Sequence, residues 1–373
     1  MKICTFSDFH LGVTTYGTID AKTGLNTRVI NALESLDSMI NYCITNKIEY
    51  IIFAGDMYKN NLPSPTLQRE LNVRIKRATE HGIKLYIQSG NHDVSPTETA
   101  KCPMDPFSTL GVQNIEHTRF EKAYMINPNL RVLILPTYCN QEQISDILDK
   151  YNDDIRTIVV GHLTVLGAKL NDWLLEQSEN AISAKVFERK NICAVVLGHL
   201  HKHQILNQSP LIYYTGSLQR IDFTEEFQEK GFVVLDINET VDYEFVEVKS
   251  QEFFTINVDI RDKTDEMEYI TSLLEDSKAK IQDSIFRLTM HLNKNNNIND
   301  DILVKQIKSY GVKSIASIQK NIDRADSIRN VLLNETITEE KALELYFENN
   351  EYKDKIITAG LNMINTLKNN NMI

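Results

Sequence analysis

Six short apolar runs punctuate the first two hundred residues, at 2–6, 49–53, 83–88, 131–135, 156–160 and 192–197. They are rich in β-branched side chains and too short for ordinary helices, so they read as buried strands. Five of them end in a cluster of Asp, His or Asn: Asp8-Phe9-His10, Gly55-Asp56, Gly90-Asn91-His92-Asp93, Gly161-His162 and Gly198-His199-Leu200-His201. Between several runs the spacing turns helical. Leu33, Leu36, Met39, Ile40 and Cys43 share one helix face. Leu67, Leu71, Ile75 and Ala78 share another, after the start signal Pro63-Ser64-Pro65. Strand alternating with helix predicts an α/β domain, and open α/β sheets place their sites at the carboxyl ends of strands. The clusters fall at those ends.

The residue types in the clusters are those that hold divalent cations. Asp8 and His10, two apart in a segment expected to be extended, can point to one side and share an ion. Asp56 has two carboxylate oxygens and can bridge two ions. Asn91 offers a neutral amide oxygen, and His162, His199 and His201 offer imidazole nitrogens. The mixed nitrogen and oxygen set suits Mn²⁺, Fe²⁺ or Zn²⁺ better than Ca²⁺, and the lack of Cys argues against a structural zinc site. Two ions so held clamp a phosphoryl group and activate a water for in-line attack. His92, beside Asn91, is placed to serve the leaving oxygen. Asp93 is expected to orient His92 or cap the following segment. Singly, Asp8 reads equally well as a cap and His10 as a core histidine. Together, coincidence is a poor explanation.

The rest of the chain bounds the reading. It has 373 residues, ample for two or three domains, and five scattered cysteines without a C-x-x-C pair. Cys4, Cys43, Cys102, Cys139 and Cys193 read as reduced, buried thiols of a cytoplasmic protein. No signal peptide and no membrane span are expected. The net charge of −11 disfavours a nucleic-acid binder relying on its own basic surface. Bound cations and a partner can supply the missing positive charge. From about residue 205 successive strands (212–214, 231–237, 243–248) suggest a second sheet. Residues 253–320 alternate strand, helix, strand, helix, strand, with a polar break at 294–297, and read as a small α+β domain. Residues 336–373 have helical spacing with two apolar patches, Leu343, Tyr346 and Phe347, then Ile357, Leu361 and Ile364.

At the five clusters the chain resembles the calcineurin-like metallophosphoesterases. Within that superfamily Ser7-Asp8-Phe9-His10-Leu11-Gly12, Gly55-Asp56-Met57-Tyr58 and the stretch Tyr214-Thr215-Gly216-Ser217-Leu218-Gln219-Arg220, with Phe223, Glu225-Glu226 and Lys230-Gly231-Phe232, resemble the SbcD-type nucleases. The resemblance implies an α/β two-sheet sandwich flanked by helices, a small α+β capping domain and a C-terminal helical tail. The corresponding segments are 1–250 for the nuclease domain, 251–323 for a DNA-capping domain and 324–373 for a partner-binding tail. It implies one ion on Asp8, His10, Asp56 and His201, a second on Asp56, Asn91, His162 and His199, and His92 as the catalytic residue. It further implies a Mn²⁺-dependent DNA exonuclease and endonuclease (Mg²⁺, Fe²⁺ or Zn²⁺ as alternatives), acting on duplex ends, single strands and hairpins. The implied partners are an SbcC-type coiled-coil ATPase and a second copy of the chain. The Asn-, Ile- and Lys-rich composition suggests an AT-rich genome, which a bacterium or a phage would fit, and the expected location is the bacterial cytoplasm, or the host cytoplasm for a phage protein. One departure stands out: three residues after Asp56, where some members have His and many bacterial ones Asp, this chain has Lys59. The competing reading is a stand-alone metallophosphoesterase acting on nucleotides or phosphoproteins.

Overall fold

A computed structural model describes residues 1–94, 102–170, 173–174, 181–293, 298–322, 343, 347 and 353–369. In chain order the strands are β1 (Lys2–Phe6), β2 (Tyr50–Ala54), β3 (Lys84–Gln88), β4 (Ile115–Thr118), β5 (Lys122–Asn127), β6 (Leu130–Ile134), β7 (Arg156–His162), β8 (Lys169–Leu170), β9 (Trp173–Leu174), β10 (Ile192–Gly198), β11 (Gln204–Gln208), β12 (Leu211–Tyr214), β13 (Gly231–Ile237), β14 (Val241–Glu247), β15 (Phe253–Asp259), β16 (Ile285–Leu292) and β17 (Ser314–Ile322). Two six-stranded sheets dominate, in the orders β14-β13-β1-β2-β3-β4 and β11-β12-β10-β7-β6-β5. Strands β1 to β4 run parallel, as do β6, β7, β10 and β12, so their carboxyl ends gather on one side of each sheet.

The continuous apolar runs are explained by burial on both faces. Ile3, Ile52 and Tyr86 of one sheet pack with Val132, Ile158, Val196 and Tyr213 of the other, forming the middle of a sandwich. The alternate residues of the same strands face outward onto helices. Cys4, Ile51 and Phe53 meet Leu36, Met39 and Ile40 of α1 (Thr27–Thr45) and Leu71 and Ile75 of α2 (Pro65–Glu80). Leu133, Val159 and Val195 meet Ile144, Ile147 and Leu148 of the helix Gln141–Lys150. Both first helices start on a side-chain cap: the Asn26 side chain accepts from the Arg28 N–H, and Ser64, within the predicted start signal, caps α2 with Pro65 in its first turn.

The strands after residue 205 do not form a sheet of their own, contrary to the reading of their succession. The β11–β12 hairpin extends one large sheet, while β13 returns antiparallel to β1 and carries β14 to the edge of the other. A strand's apolar content shows that it is buried, and not which edge it joins. Strands β15, β16 and β17 form a three-stranded sheet, with helices Glu266–Asp276 and Asp300–Ser309 where the spacing placed them.

One compact unit comprises Met1–Thr255, Glu275–Arg287 and Val304–Ser317. A second comprises the described residues of Ile256–Leu274, Leu288–Leu303 and Ile318–Ile373. Of the tail, the helix Lys353–Asn369 carries Ile357, Leu361 and Ile364. Tyr346 and most of 324–352 lie outside the described residues, as does the break at 294–297. Among the described residues no helix is long and apolar enough to cross a membrane.

Candidate metal centre

Each of the five clusters begins at or just beyond the carboxyl end of a strand, β1, β2, β3, β7 or β10. Asp8 and His10 do not share a side by lying in extended chain. Both are in the left-handed region, at φ 50° and 46°, and Asp56 and His199 follow at 63° and 97°. Non-glycine residues adopt this conformation at a cost of order 1–3 kcal/mol, and such residues gather at functional sites. The turned backbone brings the side chains together. His10 Nε2 lies 3.1 Å from His201 Nε2 and 3.6 Å from Asp56 Oδ2. Asp8 Oδ1 lies 3.9 Å from His10 Nε2 and 3.8 Å from His201 Nε2. His162 Nε2 lies 3.2 Å from Asp56 Oδ2 and 3.0 Å from Asn91 Oδ1. Asp56 therefore stands between two groups, as its expected bridging role requires.

His199 is less tightly drawn in. Its exposed ring meets His162 edge-on with centroids 5.3 Å apart, while its backbone N–H donates to both oxygens of Asp8 at 3.1 and 3.0 Å. His92 lies across the site, its ring perpendicular to that of His10 at 4.8 Å. Its Nδ1 pairs with the Lys59 carbonyl at 3.0 Å, and its backbone N–H donates to Asp56 Oδ1 at 2.8 Å. Among the described residues Asp93 accepts from backbone groups and not from the His92 ring, and the segment it was expected to cap, 95–101, lies outside the described residues. Fully buried, Asp93 accepts from the backbone N–H groups of Met57, Tyr58 and Gly90 at 3.1, 3.0 and 2.9 Å, tying the Asp56 turn to the Asn91 turn. Burial, reinforced by nearby Asp56, pushes its carboxyl up to about 7.

Two glycines make these approaches feasible. A Cβ on Gly90 would lie 2.1 Å from Asp56 Oδ1. One on Gly55 would lie 2.4 Å from His162 Nδ1, and Gly55 also has φ of 91°.

The donor set fits divalent cations. Ligand atoms about 2.0–2.2 Å from one ion sit about 3–3.5 Å from one another, the spacing seen here between His10 and His201 and between His162 and Asn91. The charge balance agrees. Burial raises the Asp56 carboxyl, but the His162 and His10 imidazoles beside it hold it well below the usual carboxylate range. Burial alone would lower His162; Asp56 instead draws it up to about 9. The pocket thus keeps a proton where a cation would supply the positive charge, and ligand protons are what a metal displaces. A separate grouping of Cys102, Asp105 and His117 is of another kind. There Ser89 Oγ bonds His117 Nε2 at 2.9 Å, Asp105 accepts from the Cys102 N–H at 2.9 Å, and burial pushes the Cys102 thiol up to about 12, so these groups are tied to one another and the thiol is no ready ligand.

A family model of calcineurin-like phosphoesterases matches residues 1–203, more than half of the chain. The chain belongs to this family. It is accordingly a metal-dependent phosphoesterase, a hydrolase, and the calcineurin-like fold is the helix-flanked pair of sheets described above. The SbcD subunit of the nuclease SbcCD from Staphylococcus epidermidis is 26% identical to it over 287 residues, covering 67% of this chain and 70% of that protein. A dimetal phosphatase from Danio rerio matches in structure at 9% identity, with a TM-score of 0.45, over 66% of this chain and 95% of that one.

Outside the expected ligands, this calcineurin-like site holds residues that the clusters did not announce. Ser7 Oγ hydrogen-bonds Asp8 Oδ2 and, at 2.6 Å, Thr215 Oγ1. His203 stacks on Phe245 at 4.5 Å and binds the Tyr214 carbonyl through Nδ1 at 2.8 Å. Glu225 reaches His201 from 24 residues away. The sequence signal for Glu225 was its place in the SbcD-like stretch, which does not say what it touches.

Proposed function

We propose that this chain is the nuclease subunit of an SbcCD-type complex. In this reading it is a Mn²⁺-dependent DNA exonuclease and endonuclease serving repair, recombination or replication in the cytoplasm. The observation that carries the reading is the likeness to the SbcD subunit of SbcCD. It covers 67% of this chain and so runs past the 203 residues of the family model. The other components follow from the same reading: residues 251–323 cap DNA, residues 324–373 dock an SbcC-type ATPase, and the chain forms a homodimer.

Asp8, His10, Asp56 and His201 would hold one ion, and Asp56, Asn91, His162 and His199 the other. When bound, two such ions supply hydroxide near neutral pH and polarise the phosphoryl oxygens. The protein's own groups do the remaining work. The Asp93 clamp on Met57, Tyr58 and Gly90 holds Asp56 and Asn91 at a fixed separation. The Lys59 carbonyl accepts from the Nδ1–H of His92, which leaves Nε2 as the atom that would hand a proton to the leaving oxygen. The role of residue 59 here is exerted by its backbone. A lysine side chain at that position cannot replace a second neutral base, and its charge suits a DNA phosphate.

Competition for the site separates DNA from smaller substrates. The protein should hydrolyse a small chromogenic phosphodiester with Mn²⁺, and duplex DNA should inhibit that hydrolysis at concentrations where mononucleotides do not. Inhibition by nucleotides with indifference to DNA would favour the stand-alone phosphoesterase and overturn the nuclease reading.

A further inference from the structure

His201 is held from behind by a buried ion pair. Its Nδ1 lies 2.7 Å from Glu225 Oε1. The other carboxylate oxygen of Glu225 lies 2.6 Å from Lys230 Nζ and accepts from the Ile221 N–H at 3.2 Å. Lys230 also donates to Ser217 Oγ and Gln228 Oε1 at 3.0 Å each, and to the His201 carbonyl at 3.2 Å. Glu225 is 4% exposed and Lys230 1%. Glu225 ends a 3₁₀ turn, Phe223–Glu225, whose start is capped by the Asp222 side chain accepting from the Thr224 N–H at 2.8 Å. Every polar atom of the pair is thus spoken for, and the carboxylate is aimed at one ring nitrogen.

A buried Glu–Lys pair rarely adds stability over apolar residues of the same size, because two charges must leave water. Its use here lies in what it does to the imidazole. A carboxylate on Nδ1 fixes the proton there, leaves the Nε2 lone pair free, and raises the basicity of that nitrogen. His201 Nε2 is the atom that faces His10 Nε2 at 3.1 Å and Asp8 Oδ1 at 3.8 Å. His10 has no such support: its Nδ1 is buried without a hydrogen-bond partner among the described residues. Of the two facing imidazoles, one is oriented from behind and the other is not.

We infer that Glu225, charge-balanced by Lys230, is a positioning residue that fixes the tautomer and direction of His201 and so sets the affinity of the ion held by Asp8, His10 and His201. The inference rests on the ligand assignment given under the proposed function. It also gives the SbcD-like stretch from Tyr214 to Phe232 a role: it supplies the support for a ligand contributed by the preceding turn.

The test is metal binding by the full-length apo protein, with Mn²⁺ as probe. Free Mn²⁺ is followed by electron paramagnetic resonance, and the ¹⁵N shifts of His201 report its tautomer. The wild type should take up two ions and show an Nδ1-protonated His201. Glu225→Gln should lose about 10–100-fold in affinity at one site only. It should also show a mixed His201 tautomer, which a merely structural role would not produce. If Glu225→Gln fails to fold, the double variant Glu225→Gln/Lys230→Met removes both charges and leaves no unpaired lysine; the same one-site loss is expected. Two unchanged affinities with an unchanged tautomer would overturn the inference while leaving the ligand assignment standing. A wild type that binds no Mn²⁺ would overturn the ligand assignment and the inference with it.

Discussion

A buried histidine outside the metal centre makes the clearest claim at the scale of single residues. His117 is 5% exposed, and burial lowers its pKa to about 4, so it folds neutral. The unfolded chain protonates near pH 6.5. Between those values the unfolded state binds the extra proton, so stability is lost as pH falls from about 6.5 to about 4, by up to about 3 kcal/mol. Urea unfolding in chelator at pH 7 and pH 4.5 should show that loss in the wild type and a smaller one in His117→Gln. Parallel losses would rule His117 out as a source. The proposed ligands stand out as residue types because each is set at the end of a strand. Their geometry was not. A spacing of two residues suggested extended chain, whereas Asp8 and His10 converge through left-handed backbone. Asp93 likewise looked like a neighbour of His92 and is a clamp on two other turns. Sequence proximity carries no information about hydrogen bonds made across 35 or 36 residues.

Between elements, the two large sheets are joined in their shared interior by a polar contact as well as by apolar packing. The hydroxyls of Thr5, on β1, and Tyr213, on β12, lie 2.8 Å apart and fully buried. Tyr213→Phe should cost about 1 kcal/mol in urea unfolding, since the Thr5 hydroxyl can still donate to the Val233 carbonyl at 3.3 Å. No measurable loss would show that the bond adds nothing to sheet-on-sheet packing. Strands β1, β2, β3, β6, β7 and β10 were readable because they are buried on both faces and therefore apolar, whereas the partly exposed β5 and β11 were not. The helices were readable from their one-sided stripes and, for α2, from Ser64 and Pro65 at its start. The return of β13 to the first sheet was not, because pairing partners are chosen by the packing of the whole sandwich.

For the molecule as a whole, a net charge of −11 sets the terms of any encounter with DNA. A polyanion approaching a polyanion gains little from long-range attraction, so binding must draw on bound cations and on a partner's basic surface. Metal occupancy is therefore central to the proposed activity. The most direct measurement is cleavage of end-labelled linear duplex and single-stranded DNA by the purified chain with Mn²⁺ titrated in, His92→Ala run alongside. Cutting should rise with Mn²⁺ and fall by about 10²–10⁴-fold in His92→Ala, with two ions still bound. Near-normal cleavage by the variant would contradict the role given to His92, and metal-replete protein that cuts neither DNA, alone or with an SbcC-type ATPase, would contradict the nuclease reading.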